Sequence, residues 1–294
     1  MTEDPLAPMP GRDSVSALTE MVKLAKDNPS MREAGDYAAK ALAAIGKTAY
    51  HLTFPLRVLN YASDGVERYF EERFASELEE RLQLIPEENR SLPKTYVAGP
   101  ALQGLADTVD EPALRKLYLE LLARAMDDRE AERVHPSFTS VIAQLDPDEV
   151  IRLSALFNLG HSAVPLAEIR FAYDRGRGEH ESEWPFVAIK SHVLPKLTQP
   201  DPYFEPSDVK SRPEWVDNWV RLGLVEISYT QELKPGSNNA YLWVQRSQDW
   251  AEAEISLADS VTPDVRRVVF QRGKISPSAF GLKFARTVGI VEDS

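Results

Sequence analysis

Apolar residues recur every fourth position through Val66, Phe70, Phe74, Leu78 and Leu82, while Glu67, Arg68, Glu71, Glu72, Glu79, Glu80 and Arg81 occupy the remaining faces. That spacing predicts a long helix with one buried stripe and a solvated remainder. Upstream, Val15, Leu18, Met21, Val22 and Ala25 mark a helix from Asp13 to Asn28, followed by an alanine-rich amphipathic stretch from Ser30 to about Ala49. Residues 1–12 hold three prolines, and acids where a secretion signal needs basic residues, so they read as a disordered arm.

A second helical pattern starts at Glu111, with Pro112 in its first turn and doubled apolar positions at Leu117/Tyr118, Leu121/Leu122 and Ala125/Met126. So wide a stripe belongs at the centre of a helical core. Pro136 opens a helix through Phe138, Val141, Ile142 and Leu145, and Asp146-Pro147 restarts the chain into Val150, Leu153, Leu156 and Phe157. After Gly160, Pro165 reads as the start of a further helix carrying Leu166, Ile169 and Tyr173. Later, a helix from Arg212 to Leu222 ends at Gly223 and leads into two apolar runs, 224–229 and 240–244, separated by the turn-forming residues 234–239.

Helices followed by a hairpin predict a mainly α chain whose carboxy-terminal half is winged-helix-like, a helix-turn-helix plus β-hairpin. The run 174–212 is then an insertion. The expected parts are an arm at 1–12, a helical domain at 13–128, and a winged-helix-like domain at 129–290 with a basic closing segment.

Composition narrows the chemistry. The 294 residues are 43% hydrophobic and carry a formal net charge of -12, so binding to nucleic acid or anionic membrane has to be local. No cysteine is present, which excludes disulfides, thiolate metal sites and thiol nucleophiles and fits a cytoplasmic protein. The apolar-leaning run Ala38 to Leu59 is broken by Lys40, Lys47, His51 and Arg57. It predicts peripheral membrane contact at most, with no transmembrane segment. The five histidines, His51, His135, His161, His180 and His192, show no i, i+4 pair, and no phosphate-binding glycine loop or nucleophile elbow occurs. Neither a metal nor a cofactor is expected.

Two residues invite a catalytic reading. Arg129 precedes His135 by the Arg-x(4–6)-His spacing of HEPN-class ribonucleases. Pro136 weighs against it, since a proline pushes the residue before it out of helical geometry and leaves His135 at a helix entrance, where a capping role is favoured. The acids Asp127, Asp128, Glu130 and Glu132 around this turn read as a solvated surface. Arg266, Arg267, Arg272, Lys274, Lys283 and Arg286 form the one basic concentration, a candidate for nucleic acid or another anionic partner. Neutralisation of the protein's own acidic surface is the favoured alternative. Arg212 and Arg221 share their helix with Glu214 and Asp217, a poor composition for reading a major groove. Of five tryptophans, Trp215 and Trp219 are spaced for a core, Trp243 lies in the second apolar run, and Trp184 and Trp250 border polar stretches as candidates for a partner interface.

Three segments, LLARAMDDREAERVHPSFTSVIAQLDPDE, WVDNWVRLGLVEISY and RGKISPSAFGLKFA, together resemble the abortive-infection alpha family of bacteria. The positions carrying the resemblance are Met126, Asp127, His135, Pro136, Ser137, Phe138, Leu145, Pro147, Asp148, Glu149, Leu222, Gly223, Leu224, Glu226, Gly281 and Phe284. It spans roughly Val66 to Arg286. The resemblance implies a role in defence against phage and supplies no catalytic residue to transfer. The expected function is a phage-defence protein acting through contacts with a protein partner or a second copy, as sensor, adaptor or non-enzymatic effector. The alternatives are a winged-helix nucleic-acid-binding regulator, a HEPN-like ribonuclease and a membrane-surface effector.

Overall fold

The computed structural model describes residues 60–160, 162–173, 186–197, 204–231, 233, 237–259 and 265–291, without the side chains of 60–64, 237, 238, 265 and 266. The expectations placed on the arm at 1–12, on the amphipathic stretches up to Leu59 and on Trp184 lie outside the described residues. Two compact units emerge. One comprises the described residues up to Val150 together with those from Arg286 onward, and the other is Ile151–Ala285.

The first unit is helical. Its stripe runs along α1 (Asn60–Glu72) and α2 (Phe74–Leu82), where Val66, Phe70, Phe74, Leu78 and Leu82 are all buried. Arg73 interrupts the helix with φ of -121°, and the rings of Phe70 and Phe74 meet across the break at 5.1 Å. α3 (Thr95–Asp107) starts ahead of Gly99-Pro100 and keeps Pro100 inside. α4 (Pro112–Met126) buries Leu114, Leu117, Tyr118, Leu119, Leu121 and Leu122, as befits its wide stripe. α5 (Ser137–Ile142) and α6 (Pro147–Asn158) follow. Arg81 on α2 donates from Nε to Glu120 on α4 at 2.8 Å.

The second unit overturns the winged-helix expectation. It holds a four-stranded antiparallel sheet of order β2-β1-β4-β3, built from β1 (Val164–Tyr173), β2 (Phe186–Val193), β3 (Val225–Ser228) and β4 (Val265–Pro277). The segment from Pro165 read as a helix is the inner strand β1. Its Leu166, Ile169 and Tyr173 fit a helical spacing, but the strand buries both faces at its start, which hides the alternation of period two. Pro165 is tolerated because the β2 register begins only at Ala167, leaving one side of β1 open there.

The expected hairpin is replaced too. β3 pairs with β4, Val225 opposite Pro277 and Ser228 opposite Lys274, while 237–241 and 244–246 are short 3₁₀ turns. Tyr241, Trp243 and Val244 are buried and Leu242 is exposed, a pattern that packs a core instead of forming a strand face. Those three side chains join Ala167, Ile169, Val193, Trp250 and Ala253 in the core of this unit, with Phe270 of β4 packed against them. Helices dominate the described residues, yet the sheet excludes an all-α class.

Three more helices complete the described residues: α7 (Pro213–Arg221), α8 (Gln248–Ala258) and α9 (Ala279–Thr287). Val216 and Trp219 of α7 are buried, whereas Val220 is exposed.

Candidate functional site

The turn after α4 holds the first pair of predicted residues. Ser91 donates its backbone N–H to the Met126 carbonyl at 2.7 Å and Asp128 donates its own to Asn89 at 2.9 Å, so the preceding loop fastens the helix exit. Arg129 folds back on Asp127, donating from Nε at 2.8 Å and Nη2 at 2.6 Å to the two carboxylate oxygens, with its backbone N–H 3.0 Å from Oδ1. The buried Asp127 carboxyl is held below the usual carboxylate range, first by these hydrogen bonds from Arg129. His135 is exposed at the start of α5, where its Nδ1 accepts the Ser137 N–H at 3.2 Å and lies 2.7 Å from the Ser137 hydroxyl. Its ring leans on the fully buried Phe138 at 5.8 Å. Arg129 is thus turned to Asp127 and His135 to a helix start.

Farther on, Asp146 and Glu149 form a reciprocal cap. The Asp146 N–H donates to Glu149 Oε2 at 2.8 Å, and Asp146 Oδ1 accepts the Asp148 N–H at 2.9 Å. The distant Leu222-Gly223-Leu224 and Gly281-x-x-Phe284 segments meet as a second knot. Gly223 takes a left-handed φ of +72° to end α7, and Ser278 donates its hydroxyl to the Gly223 carbonyl and its N–H to the Leu224 carbonyl at 3.0 Å. The Ser278 hydroxyl oxygen then accepts the Gly281 N–H at 2.8 Å, capping α9.

The basic segment is divided by the strand it forms. Val268, Phe270, Arg272 and Lys274 share one face of β4, where the Arg272 guanidinium lies 5.5 Å from the Tyr241 ring, and Arg267 points to the other face. The Arg266 side chain is outside the described set; Lys283 and Arg286 are exposed on α9. Trp250, expected at an interface, is 7% exposed and meets Phe270 edge-on at 6.0 Å, so its indole is committed to the core.

A dense polar constellation lies on the opposite face of the sheet, among residues that spacing did not single out. Glu168 on β1 accepts from Arg170 Nε at 2.5 Å and from the Ser191 hydroxyl at 3.1 Å. Arg170 also donates to Gln271 Oε1 at 3.2 Å and covers the Phe186 ring at 3.8 Å. Gln271 in turn donates to the Tyr229 carbonyl at 3.0 Å. Beside them His192 bridges Tyr229 and Asp217: Nδ1 is 3.0 Å from the Tyr229 hydroxyl, and Nε2 is 3.1 Å from Asp217 Oδ1. Burial pushes the Tyr229 hydroxyl up to about 12, keeping it a phenol that donates. A cue was present in Glu168-x-Arg170, which shares one face only if the segment is a strand.

A family model, abortive infection alpha, matches residues 66–288. No curated protein and no solved structure shows a significant match.

Proposed function

The chain belongs to the abortive infection alpha family, and on that footing we propose that it restricts phage through contacts with a protein partner, as a sensor, adaptor or non-enzymatic effector in the cytoplasm. The observation that supports contact as the mode of action is the outer strand β2. In the described sheet its one neighbour is β1, and its first residues present Phe186 and Val187, each 53% exposed, and Ile189, 38% exposed. Lys190, the charge that would guard such an edge, turns toward Asp249 with its ammonium 3.6 Å from the carboxylate. The regular first residues of this edge, ahead of the register shifts between Ala188 and Val193, can accept an extended segment of a partner protein, main-chain hydrogen bonds supplying affinity and the apolar side chains register.

Expression in a phage-sensitive host is expected to lower plaque counts for at least one phage. The double substitution Val187→Lys and Ile189→Lys, on exposed positions, is expected to abolish that protection without altering the amount of folded protein. Unchanged plaque counts across a broad phage panel would overturn the defence role; full protection by the double variant would remove β2 from it. A salt-dependent shift of duplex DNA, lost in Arg272→Ala with Lys274→Ala, would transfer the reading to nucleic acid.

A further inference from the structure

His192 combines three properties in one residue of β2. Its φ of +54° places a non-glycine residue in the left-handed region, which a side chain disfavours unless its surroundings hold it there. Its backbone N–H donates to the Tyr229 hydroxyl oxygen at 3.1 Å, and its ring stacks on the Tyr229 ring at 6.0 Å. Both ring nitrogens are engaged, one by a residue just past β3 and one by a residue of α7.

The hydrogen-bond inventory is complementary in one protonation state. With a neutral imidazole, Nε2–H donates to Asp217 and Nδ1 accepts the Tyr229 O–H, while the phenol oxygen accepts the backbone N–H. A protonated ring carries a hydrogen on Nδ1 as well, so the 3.0 Å contact survives only if it reverses, the Tyr229 oxygen accepting from Nδ1. The Tyr229 proton must turn elsewhere. The negative group beside it, Glu168, already accepts from Arg170 and Ser191.

We propose that Asp217, His192 and Tyr229 form a proton-operated latch that fastens α7 to the end of β2, closed while His192 is neutral and loosened when it is protonated. Among the described residues, the charged and titratable groups around His192 are Asp217 from α7, Tyr229 from the β3 exit, and Glu168 with Arg170 from β1; β4 contributes the neutral Gln271. Protonation strengthens only the pairing with Asp217, whose side chain is 68% exposed and therefore well screened. It reverses the partly buried pairing with Tyr229 and sends the phenol hydrogen to find another acceptor. Because α7 ends in the Gly223 turn whose carbonyl holds Ser278, the latch also steadies the start of α9.

The latch is independent of the phage-defence reading and is tested on the full chain by amide hydrogen exchange at about pH 8 and about pH 5.5, corrected for intrinsic rates. Protection of the His192 amide and of the α7 amides is expected to fall about fivefold or more at the lower pH, relative to those of α4. His192→Gln and Tyr229→Phe are expected to remove this pH dependence. Equal protection at both pH values, or the same pH dependence in His192→Gln, overturns the proposal. Nitrogen chemical shifts of the unaltered protein at the higher pH give a second decision: an Nε2–H tautomer supports the latch, and an Nδ1–H tautomer overturns it.

Discussion

The helical unit and the sheet unit are held by opposite kinds of contact. In the helical unit many contacts are near in sequence, as in the i, i+4 stripe of α1 and α2, the turn that ties Asp127 to Arg129 and the cap joining Asp146 to Glu149, and these are supplemented by longer ties such as Arg81 to Glu120. In the sheet unit they are distant, with Ile169 opposite Phe270 and Ser278 bound to Gly223. A local contact is specified by a few residues and closes at low entropic cost, whereas a distant one depends on chain closure over tens of residues. The residues that carry the family resemblance belong to both kinds, and most of them are caps, turns and packed side chains, Glu226 on β3 being exposed.

Two glycines separate the units most sharply. Gly281 seats the first turn of α9 on Leu224, and the Cβ of an alanine there would lie 2.7 Å from the Leu224 carbonyl carbon and closer still to its oxygen. Backbone cannot step aside, so Gly281→Ala is expected to destabilise by about 3 kcal/mol or more, measured by urea unfolding. Gly104 on α3 is as tightly placed, but its neighbour is the Tyr118 ring. That ring can tilt, and alanine recovers about 1 kcal/mol of helix propensity, so Gly104→Ala is expected to cost only about 1–2 kcal/mol. An equal cost at both sites would mean that the side-chain neighbour is as unyielding as the backbone one, erasing this part of the contrast.

Legibility follows the same division. The α2 stripe, the α4 core helix with Pro112 in its first turn, and the restart at Pro147 were readable because each signal lies within one or two helical turns. β4 escaped because RRVVFQRGKI announces its charges more loudly than its alternation, and its partner β1 precedes it by about a hundred residues. Without that partner, Leu224–Tyr229 took the nearest apolar run as a mate, and a turn-rich spacer made the false hairpin persuasive. The same omission hid the polar face, since Glu168, Arg170 and Gln271 converge only across paired strands.

Within the helical unit, the Glu149 cap offers a smaller test. Its side chain is buried, accepts the Asp146 N–H, and follows Pro147 at the first helical turn. Glu149→Ala is expected to cost about 1–2 kcal/mol in thermal or urea unfolding, because the helix start loses the acceptor of a part-buried cap. A loss of less than about 0.5 kcal/mol would show that water replaces the carboxylate at little cost, and that this joint is less dependent on its cap than the geometry implies.

The acid limb of stability tests the Asp127 turn. The folded carboxyl is held below its unfolded value, so its contribution is complete above about pH 4 and is lost as pH falls through the folded value. Arg129→Gln is expected to flatten that loss, seen as a shallower fall in melting temperature below about pH 4 than in the unaltered protein. An identical acid limb would detach Arg129 from the turn's energetics.

The smallest expected effect belongs to His135. Its ring is exposed, and its contacts include Ser137 and the Phe138 ring, both within one turn of the start of α5. A cap of that kind contributes about 0.5 kcal/mol, so His135→Ala is expected to lower stability by that amount and to leave plaque reduction intact. Cellular RNA is expected to stay whole when either protein is overproduced. The informative failure would be a variant that keeps its stability and loses protection, for a capping residue has no means of producing that result. Such an outcome would move His135 from the local architecture of the helical unit to its chemistry, and Arg129, half-exposed beside it in sequence, would be the next residue to replace.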